Sequence, residues 1–427
     1  MKLKLHSFHY RWILIIVGTT LYFMANVQRT AIPGAIFNVL QQELQASATC
    51  ITSLGAVFMY VYALNQLVIG MLIEKYGGAR VIAVGALLFC AGSLMFPLSH
   101  SLFWLYFSRG LTGLGASSIY LSLVKEIRRA SSDKNFSLAL AIMTFAGYTG
   151  GIMANAPFVA GVALIGWRPL MLIIALSSIA LFLLFLFSGY MTKLPRIHSE
   201  TRISFRPFFE LLKIPHNLYM LGCTGVNFGM FYVIQTMIGK KFLEDFCSMS
   251  SENAAWVLSL MATLAAVVGM VLAVLSRLAG NRRRIFLKFA TTTTVSVFLL
   301  IILALVFDIR SGGIAVLFCI LTLASNLSAI TVPMVHETNS SKLAGATVCF
   351  MNFSAYIAVA VLGNAVGLLM SLFRPEILPN GVMLYGRGSY LAVFSALFLL
   401  ACFTAYCAWH TRETWGRNIA SEINRLS

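Results

Sequence analysis

Two arginines stand where charge is expensive. Arg29, in "LYFMANVQRTAIPG", and Arg109, in "SRGLTGLGASS", both lie inside long apolar runs. A guanidinium at the centre of a hydrocarbon layer costs at least ~2.5–3.5 kcal/mol on insertion scales. Each must therefore face protein, water or a bound anion. The guanidinium's planar fork of donors suits a carboxylate or a phosphate. On a helix, Tyr22, Asn26, Arg29 and Pro33 share one face, polar and aromatic where the rest of the run is apolar. Arg109, Thr112, Gly113 and Tyr120 fall on one side of their own run in the same way. Tyr62 and Gln66, four apart, are further candidates between them.

The fourteen acidic residues offer these arginines no partner at that depth, and neither do the seven histidines, since none lies near the middle of an apolar run. A buried cation needs a counter-charge, and an anionic substrate is the simplest source. The alternative is that each arginine bonds backbone carbonyls and water or reaches toward an interface. For Arg109 the two readings balance, because its glycine-rich surroundings also suit close helix packing. The same lack of deep carboxylates disfavours proton-driven export of cations. Glu126 and Glu337, at the inner ends of their runs, remain as candidates for proton coupling; otherwise the substrate anion carries the proton.

Positioning such residues requires membrane helices. The 427-residue chain is 59% hydrophobic and 11% charged, with a mean hydropathy of +0.85, whereas soluble domains are about 25% charged. Twelve apolar runs centre near Met24, Phe58, Leu87, Gly113, Gly150, Ile179, Phe228, Ala265, Val297, Leu323, Ala358 and Phe398. Each is continuous and long enough for a spanning helix of ~20 residues, unlike the short alternating strands of a barrel. The expected fold is an all-α membrane protein of two pseudo-symmetric six-helix bundles. Residues 1–190 form the first bundle, 191–214 a basic linker with an amphipathic turn over Phe205 to Leu212, 215–410 the second bundle, and 411–427 a tail. Among the 31 Lys and Arg residues, only Arg168, Lys240, Lys241, Arg310, Arg374 and Arg387 fall in the loops opposite the termini. That bias places both termini in the cytoplasm. It also accounts for the net charge of +17 without nucleic acid. The first run is too long for a signal-peptide core and reads as a retained helix. The eight cysteines include no CxxC, and only Cys50 and Cys247 share an outward side where they could pair.

The halves echo each other. "GMLIEKYGGAR", Gly70 to Arg80, corresponds to "LAVLSRLAGNRRR", Leu272 to Arg284. "NVLQQELQAS" corresponds to "KKFLEDFCSMS" at nearly the same offset. Parallel repeats of six helices are a transporter architecture. On these residues the chain resembles the major facilitator superfamily over essentially its whole length. Gly70, Glu74, Lys75, Gly77 and Arg80 fill the places of that superfamily's loop 2–3 motif, with glutamate for the usual aspartate and lysine for the usual arginine. Its physical sense is a gate: glycine admits close approach, and an acid among bases holds one conformation shut. The plainer alternative is a tight basic turn that anchors topology. In the second copy Ser276 stands where the acid would be. "SRGLTGLGASS" resembles the superfamily's helix 4 arginine motif. "GYTGGIMANAPF" shares only composition with the glycine–proline motif of drug antiporters. "QRTAIP…YVYALNQLVIGMLIEKYG" is similar to facilitators that move organic anions with a cation. It is equally similar to carriers of intracellular bacteria for amino acids, other nutrients and siderophores. The resemblance implies that helices 1, 4, 7 and 10 line a central cavity, which adds Asn227, Tyr232 and Gln235 of helix 7 to the candidate site.

Other chemistries lack their motifs: the sequence contains no GxxxxGK[ST], no HExxH and no GxSxG. The expected protein is a secondary active transporter, not an enzyme. It moves a small organic anion or zwitterion by alternating access across a bacterial inner membrane. A proton or sodium gradient drives it, with no cofactor, no metal and no nucleic-acid partner, and it works as a monomer in the lipid bilayer. Its binding residues are Arg29, Arg109, Tyr22, Asn26, Tyr120, Asn227, Tyr232 and Gln235. The alternatives are an exporter of a siderophore or other metabolite, and a transporter-like receptor that moves nothing.

Overall fold

In hydrocarbon every backbone donor and acceptor must be satisfied within the chain, and long uncharged runs meet that demand as helices. A computed structural model describes residues 2–192, 205–325, 327–340, 343–379 and 381–420. The first six spans are Lys2–Ala31, Ala48–Tyr76, Gly78–Leu98, Leu102–Ser117 continued by Ile119–Ala130, Asp133–Met153 continued by Ala156–Ile165, and Trp167–Thr192. The second six are Pro215–Asp245, Ser251–Leu278, Arg284–Val306, Gly313–Leu321 continued by Ser328–Thr338, Ala344–Ser371 and Arg387–His410. They are called spans 1 to 12 below. Every expected centre falls inside its span, and the protein is an all-α, multi-pass membrane protein of twelve spans.

Three spans are broken. Span 4 breaks at Ser118 and span 10 between Leu321 and Ser328. Span 5 bends by 47° at Ala154–Asn155, ahead of Pro157. Asn155 Nδ2 donates to the Gly151 carbonyl (2.9 Å) at that break, in keeping with a proline-marked helix end. Span 1 stops at Ala31, followed by a 3₁₀ turn Gly34–Ile36 and a short helix Phe37–Leu44. Pro33 thus lies beyond the helix and does not share the face of Arg29, a correction to the spacing argument. A two-residue hairpin, Glu376–Ile377 with Met383–Leu384, precedes span 12.

The chain divides into two compact units. One comprises Met1–Ala31 and Val57–Ile203, the other Ile32–Ala56 and Ser204–Ser427. In the first, spans 3 and 4 meet at bare backbone: a Cβ on Gly115 would strike the Phe89 nitrogen and the Gly85 carbonyl. A Cβ on Gly113 would come within 2.6 Å of the Phe58 carbonyl on span 2. Gly113 and Gly115 of "GLTGLG" therefore set helix separation, as small residues do in membranes. In the second, span 7 is interrupted by two π-helical stretches, Gly222–Val226 and Ile234–Ile238. Gly225, within the first, and Gly229, between the two, bring it against Ser354 and Ala358 of span 11. The expected amphipathic turn is a helix, Arg206–Leu212, while linker residues 193–204 and tail residues 421–427 lie outside the described residues. Cys50 and Cys247 are not joined by a disulfide.

Candidate functional site

In the first unit spans 1, 2 and 4 gather the polar and aromatic residues of the candidate site. Arg29 is half-buried, and its Nη2 donates to Asn26 Oδ1 one turn earlier. Asn26 in turn donates through Nδ2 to the Tyr22 carbonyl (2.8 Å), so its carbonyl oxygen is held toward the arginine. The Arg29 guanidinium lies 5.9 Å from the Tyr62 ring centroid, within cation–π range. Tyr22 pairs with Tyr120 at 5.5 Å between ring centroids. Seven helical residues separate Tyr22 from Arg29, so this strip runs ~10 Å along span 1.

Arg109 is placed differently. It is 1% exposed. Its Nη1 donates to the Gln28 carbonyl (3.2 Å), and its guanidinium carbon sits 4.6 Å from the Phe58 ring centroid. As the chain stands, it ties span 4 to spans 1 and 2. Tyr120, beyond the break at Ser118, faces Tyr22 rather than Arg109's surroundings. Gln66 is also a tie: its Nε2 donates to the Ser117 carbonyl (3.1 Å), and Asn65 bonds the Ser117 hydroxyl (2.6 Å). Together they serve backbone loosened by the break in span 4.

The loop 2–3 motif forms a tight turn. Gly77 has φ 85°, a conformation open mainly to glycine, and joins span 2 directly to span 3. A Cβ on Gly78 would meet the Ser122 carbonyl at 2.6 Å and Glu126 Oε1 at 2.8 Å. Glu126, 3% exposed, accepts from the Ala79 N–H (3.0 Å) and from Arg129 Nη1 (3.4 Å). A carboxylate on the first N–H groups of a helix is favoured by the helix dipole. The acid that grips this loop is therefore Glu126 of span 4, while the motif's own Glu74 is exposed. Lys125 Nζ donates to the Ile73 carbonyl (3.1 Å) beside it. Lys75 Nζ lies 5.3 Å from the Tyr76 ring centroid, and Gly70 and Arg80 are half-buried.

The second unit solves the same problem with another part of the chain. Ser276, in the acid's place, is buried. Glu413, from the tail, accepts from the N–H groups of Arg283 (2.8 Å) and Arg284 (2.9 Å) at the start of span 9. Glu337, at the end of span 10, forms an ion pair with Arg283, and its carbonyl accepts from the Ile419 N–H (2.7 Å). The Arg412 N–H donates to His216 Nε2 (3.0 Å). The tail is thus a strap over the ends of spans 7, 9 and 10.

The remaining candidates lie on span 7. Asn227, Tyr232 and Gln235 are all buried, at 1%, 6% and 4% exposure. Tyr232 stacks on Phe228 at 5.3 Å, and Phe228 meets Tyr356 of span 11 edge-on at 5.8 Å. Gln235 Nε2 reaches the Leu258 carbonyl of span 8 (3.5 Å). The two π-helical stretches flank Asn227 and Tyr232, and the second contains Gln235, a distortion frequent at functional sites.

One charged cluster was not legible from loop composition. Lys240 and Lys241, counted above with the outer loops, belong to the end of span 7 and are buried. Lys241 Nζ pairs with Asp245 Oδ1 (2.7 Å), their side chains 0% and 2% exposed, and Lys240 pairs with Glu244 (2.6 Å). Asp245 Oδ2 accepts from the Tyr385 N–H (3.0 Å) and the Tyr390 hydroxyl (2.7 Å). Tyr385 Oη accepts from Gln41 Nε2 (3.0 Å) and the Ala48 N–H (3.2 Å). Burial pushes the Tyr385 phenol above its ordinary pKa. The signal available was the i,i+4 spacing of both pairs in "KKFLED".

Among the described residues no group of three His, Cys, Asp or Glu side chains is arranged to hold a metal ion. A family model for the Major Facilitator Superfamily matches residues 18–364. Three solved structures share the fold. A bacterial homologue of the human lysosomal transporter Spinster has a TM-score of 0.72 at 18% identity, covering 97% of each chain. The nucleoside transporter NupG has 0.68 at 14%, covering 94% of this chain and 99% of its own. A peptide transporter, POT, has 0.75 at 12%, covering 98% and 95%. A curated relative, the methyl viologen resistance protein SmvA of Salmonella typhimurium, is 26% identical over 155 residues. That match takes in 36% of this chain and 31% of SmvA, so the chain spans under a third of that relative's length. With the model covering most of the sequence and the twelve-span fold in place, the chain belongs to the Major Facilitator Superfamily of transporters.

Proposed function

We propose that this transporter moves a small organic anion or zwitterion, with Arg29 as the group that receives the anionic end. The observation behind this reading is the contrast within the first unit. Arg29 is half-buried on a strip of Asn26, Tyr22, Tyr62 and Tyr120, whereas Arg109 is enclosed. A guanidinium beside Asn26 and backed by Tyr62 offers the planar fork that suits a carboxylate or phosphate. Tyr120 completes the strip and Arg109 is a supporting charge; in the second unit, taken by itself, Asn227, Tyr232 and Gln235 are the candidate binding residues. The gate is the loop of Gly70, Glu74, Lys75, Gly77 and Arg80, and the protein is a non-enzymatic monomeric carrier.

The driving force is an ion gradient, proton or sodium, across a bacterial inner membrane with both termini inside. Glu126 and Glu337 are the candidates for coupling transport to protons. Each is a carboxylate at the end of its span, held by one arginine. Export is the second reading, and it is favoured by the partial match to a resistance protein.

The test is uptake into proteoliposomes under imposed proton or sodium gradients, using organic acids and amino acids that raise the melting temperature of the purified protein. Arg29→Ala is expected to abolish transport while the protein still inserts and melts near the wild-type temperature. Arg29→Lys should restore little if the anion is held bidentately. Wild-type transport by Arg29→Ala, or stabilisation by cations alone, would overturn the reading.

A further inference from the structure

We propose that the surface where spans 9 and 12 meet, at the end bearing the tail, is a binding site for the headgroup of an anionic phospholipid. The inference is independent of the transported substrate.

Three cations converge there on two tryptophans. Lys288 Nζ lies 3.8 Å from the Trp409 ring centroid. The Arg282 guanidinium carbon lies 4.8 Å from that of Trp415. Arg284 Nη2 donates to the Trp409 carbonyl. Both tryptophans are open, 56% and 50% exposed. The two nearby acids are committed elsewhere, Glu413 to backbone N–H groups and Glu337 to Arg283. Among the described residues, no carboxylate forms an ion pair with Arg282, Arg284 or Lys288. The patch therefore has positive charge to spare.

Its continuation along span 9 is apolar and open: Ile285 and Phe289 are both more than half exposed. A belt of cations, then tryptophans, then exposed apolar surface follows the profile of a membrane interface. A lipid with a phosphate ester above and acyl chains below complements it in that order. A cation resting on an indole face keeps its outward N–H groups for phosphate oxygens. Basic pockets between spans at such a level are suited to anionic headgroups. A soluble phosphate shares the headgroup chemistry but leaves the apolar strip unused.

The full-length protein in phosphatidylcholine nanodiscs, with and without phosphatidylglycerol, provides the test. Phosphatidylglycerol should raise the melting midpoint by several degrees. Arg282→Gln/Lys288→Gln should lose at least half of that increment. Lys213→Gln/Arg277→Gln, which removes the same charge outside the patch, should retain it. Brominated phosphatidylglycerol should quench tryptophan fluorescence more than brominated phosphatidylcholine, and Trp409→Phe/Trp415→Phe should abolish the difference. Equal losses in the two double variants would reduce the effect to bulk charge. Reproduction of the shift by inorganic phosphate in phosphatidylcholine discs would mark a soluble-anion site. Either result, or equal quenching by the two brominated lipids, overturns the proposal.

Discussion

Removing one partner of the buried Lys241–Asp245 pair should destabilise the protein far more than removing both in sequence would suggest. The two side chains are 0% and 2% exposed and 2.7 Å apart. Breaking such a pair from one side costs ~3–5 kcal/mol, because the remaining charge stays buried without its partner. Asp245→Ala belongs at the upper end. It strands the Lys241 ammonium on a single carbonyl, that of Met383 (2.6 Å), and leaves the Tyr385 N–H and the Tyr390 hydroxyl without their acceptor. Lys241→Ala belongs at the lower end, since those same two donors still hold the carboxylate. The double variant buries no charge. It leaves two neutral donors and one carbonyl, each at ~1 kcal/mol or slightly more. Its total should be ~3–4 kcal/mol against a sum of singles near ~8, a coupling of several kcal/mol. Reversible unfolding of the purified protein in mixed micelles, followed by helix content, measures all three. Additive single losses, or either single loss below ~1 kcal/mol, would refute the claim that this pair is held as a desolvated unit.

Two other contacts give sharp expectations. Glu413→Gln keeps the shape of the tail but removes the charge on the first N–H groups of span 9. It should cost ~1–2 kcal/mol, and hydrogen exchange should speed up at Arg283 and Arg284 but not at Ala79, whose acceptor is Glu126. Tyr385→Phe should cost ~1–3 kcal/mol by orphaning the Gln41 amide and the Ala48 N–H. Burial first, and then the Asp245 charge, raise the Tyr385 phenol above its ordinary value of 10.0. Its folded state is thus favoured neutral, and its stabilisation is complete below about pH 10 and lost as pH climbs through the raised value. The wild-type-minus-Tyr385→Phe stability difference should be flat to about pH 10 and shrink above it.

What the sequence disclosed was whatever depends on one segment at a time. A span announces itself by an uninterrupted apolar run: eleven of the twelve centres fall inside α-helices, and Leu323 falls in the 3₁₀ turn at the break in span 10. The bend in span 5 has its cause in "ANAPF", and the strain at Gly77 in the motif's own glycine. Charge placement was legible only where neighbours in sequence decide it. "KKFLED" looks like a loop by composition. It is buried because Tyr385 and Tyr390, more than a hundred residues away, close over it. The loop acids show the same limit. Glu126 and Glu413 grip helix starts 47 and 129–130 residues distant, and no local pattern assigns a carboxylate to an N–H that far away. The missing acid at Ser276 was visible in the sequence; the tail residue that replaces it was not.

The two deep arginines show how packing decides a role that residue type leaves open. Both are costly in hydrocarbon and neither has an acid near the middle of its own run. Arg109 is surrounded by small residues, and Gly113 brings span 4 onto the backbone of Phe58. The glycines that allow close approach also bring the Phe58 ring and the Gln28 carbonyl onto the guanidinium. Arg29 has neighbours too large for that approach on its own side: Tyr62 and Asn26 hold the guanidinium at its edge and leave it half open. Span 1 packs closely on span 5 instead, where a Cβ on Gly150 would come within 2.5 Å of the Phe23 carbonyl and 3.1 Å of the Asn26 Cβ. A charge among glycines is drawn into a helix tie, whereas a charge among tyrosines keeps its reach. On that ground the proposed anion-binding role is given first to Arg29, while Arg109 ties span 4 to spans 1 and 2.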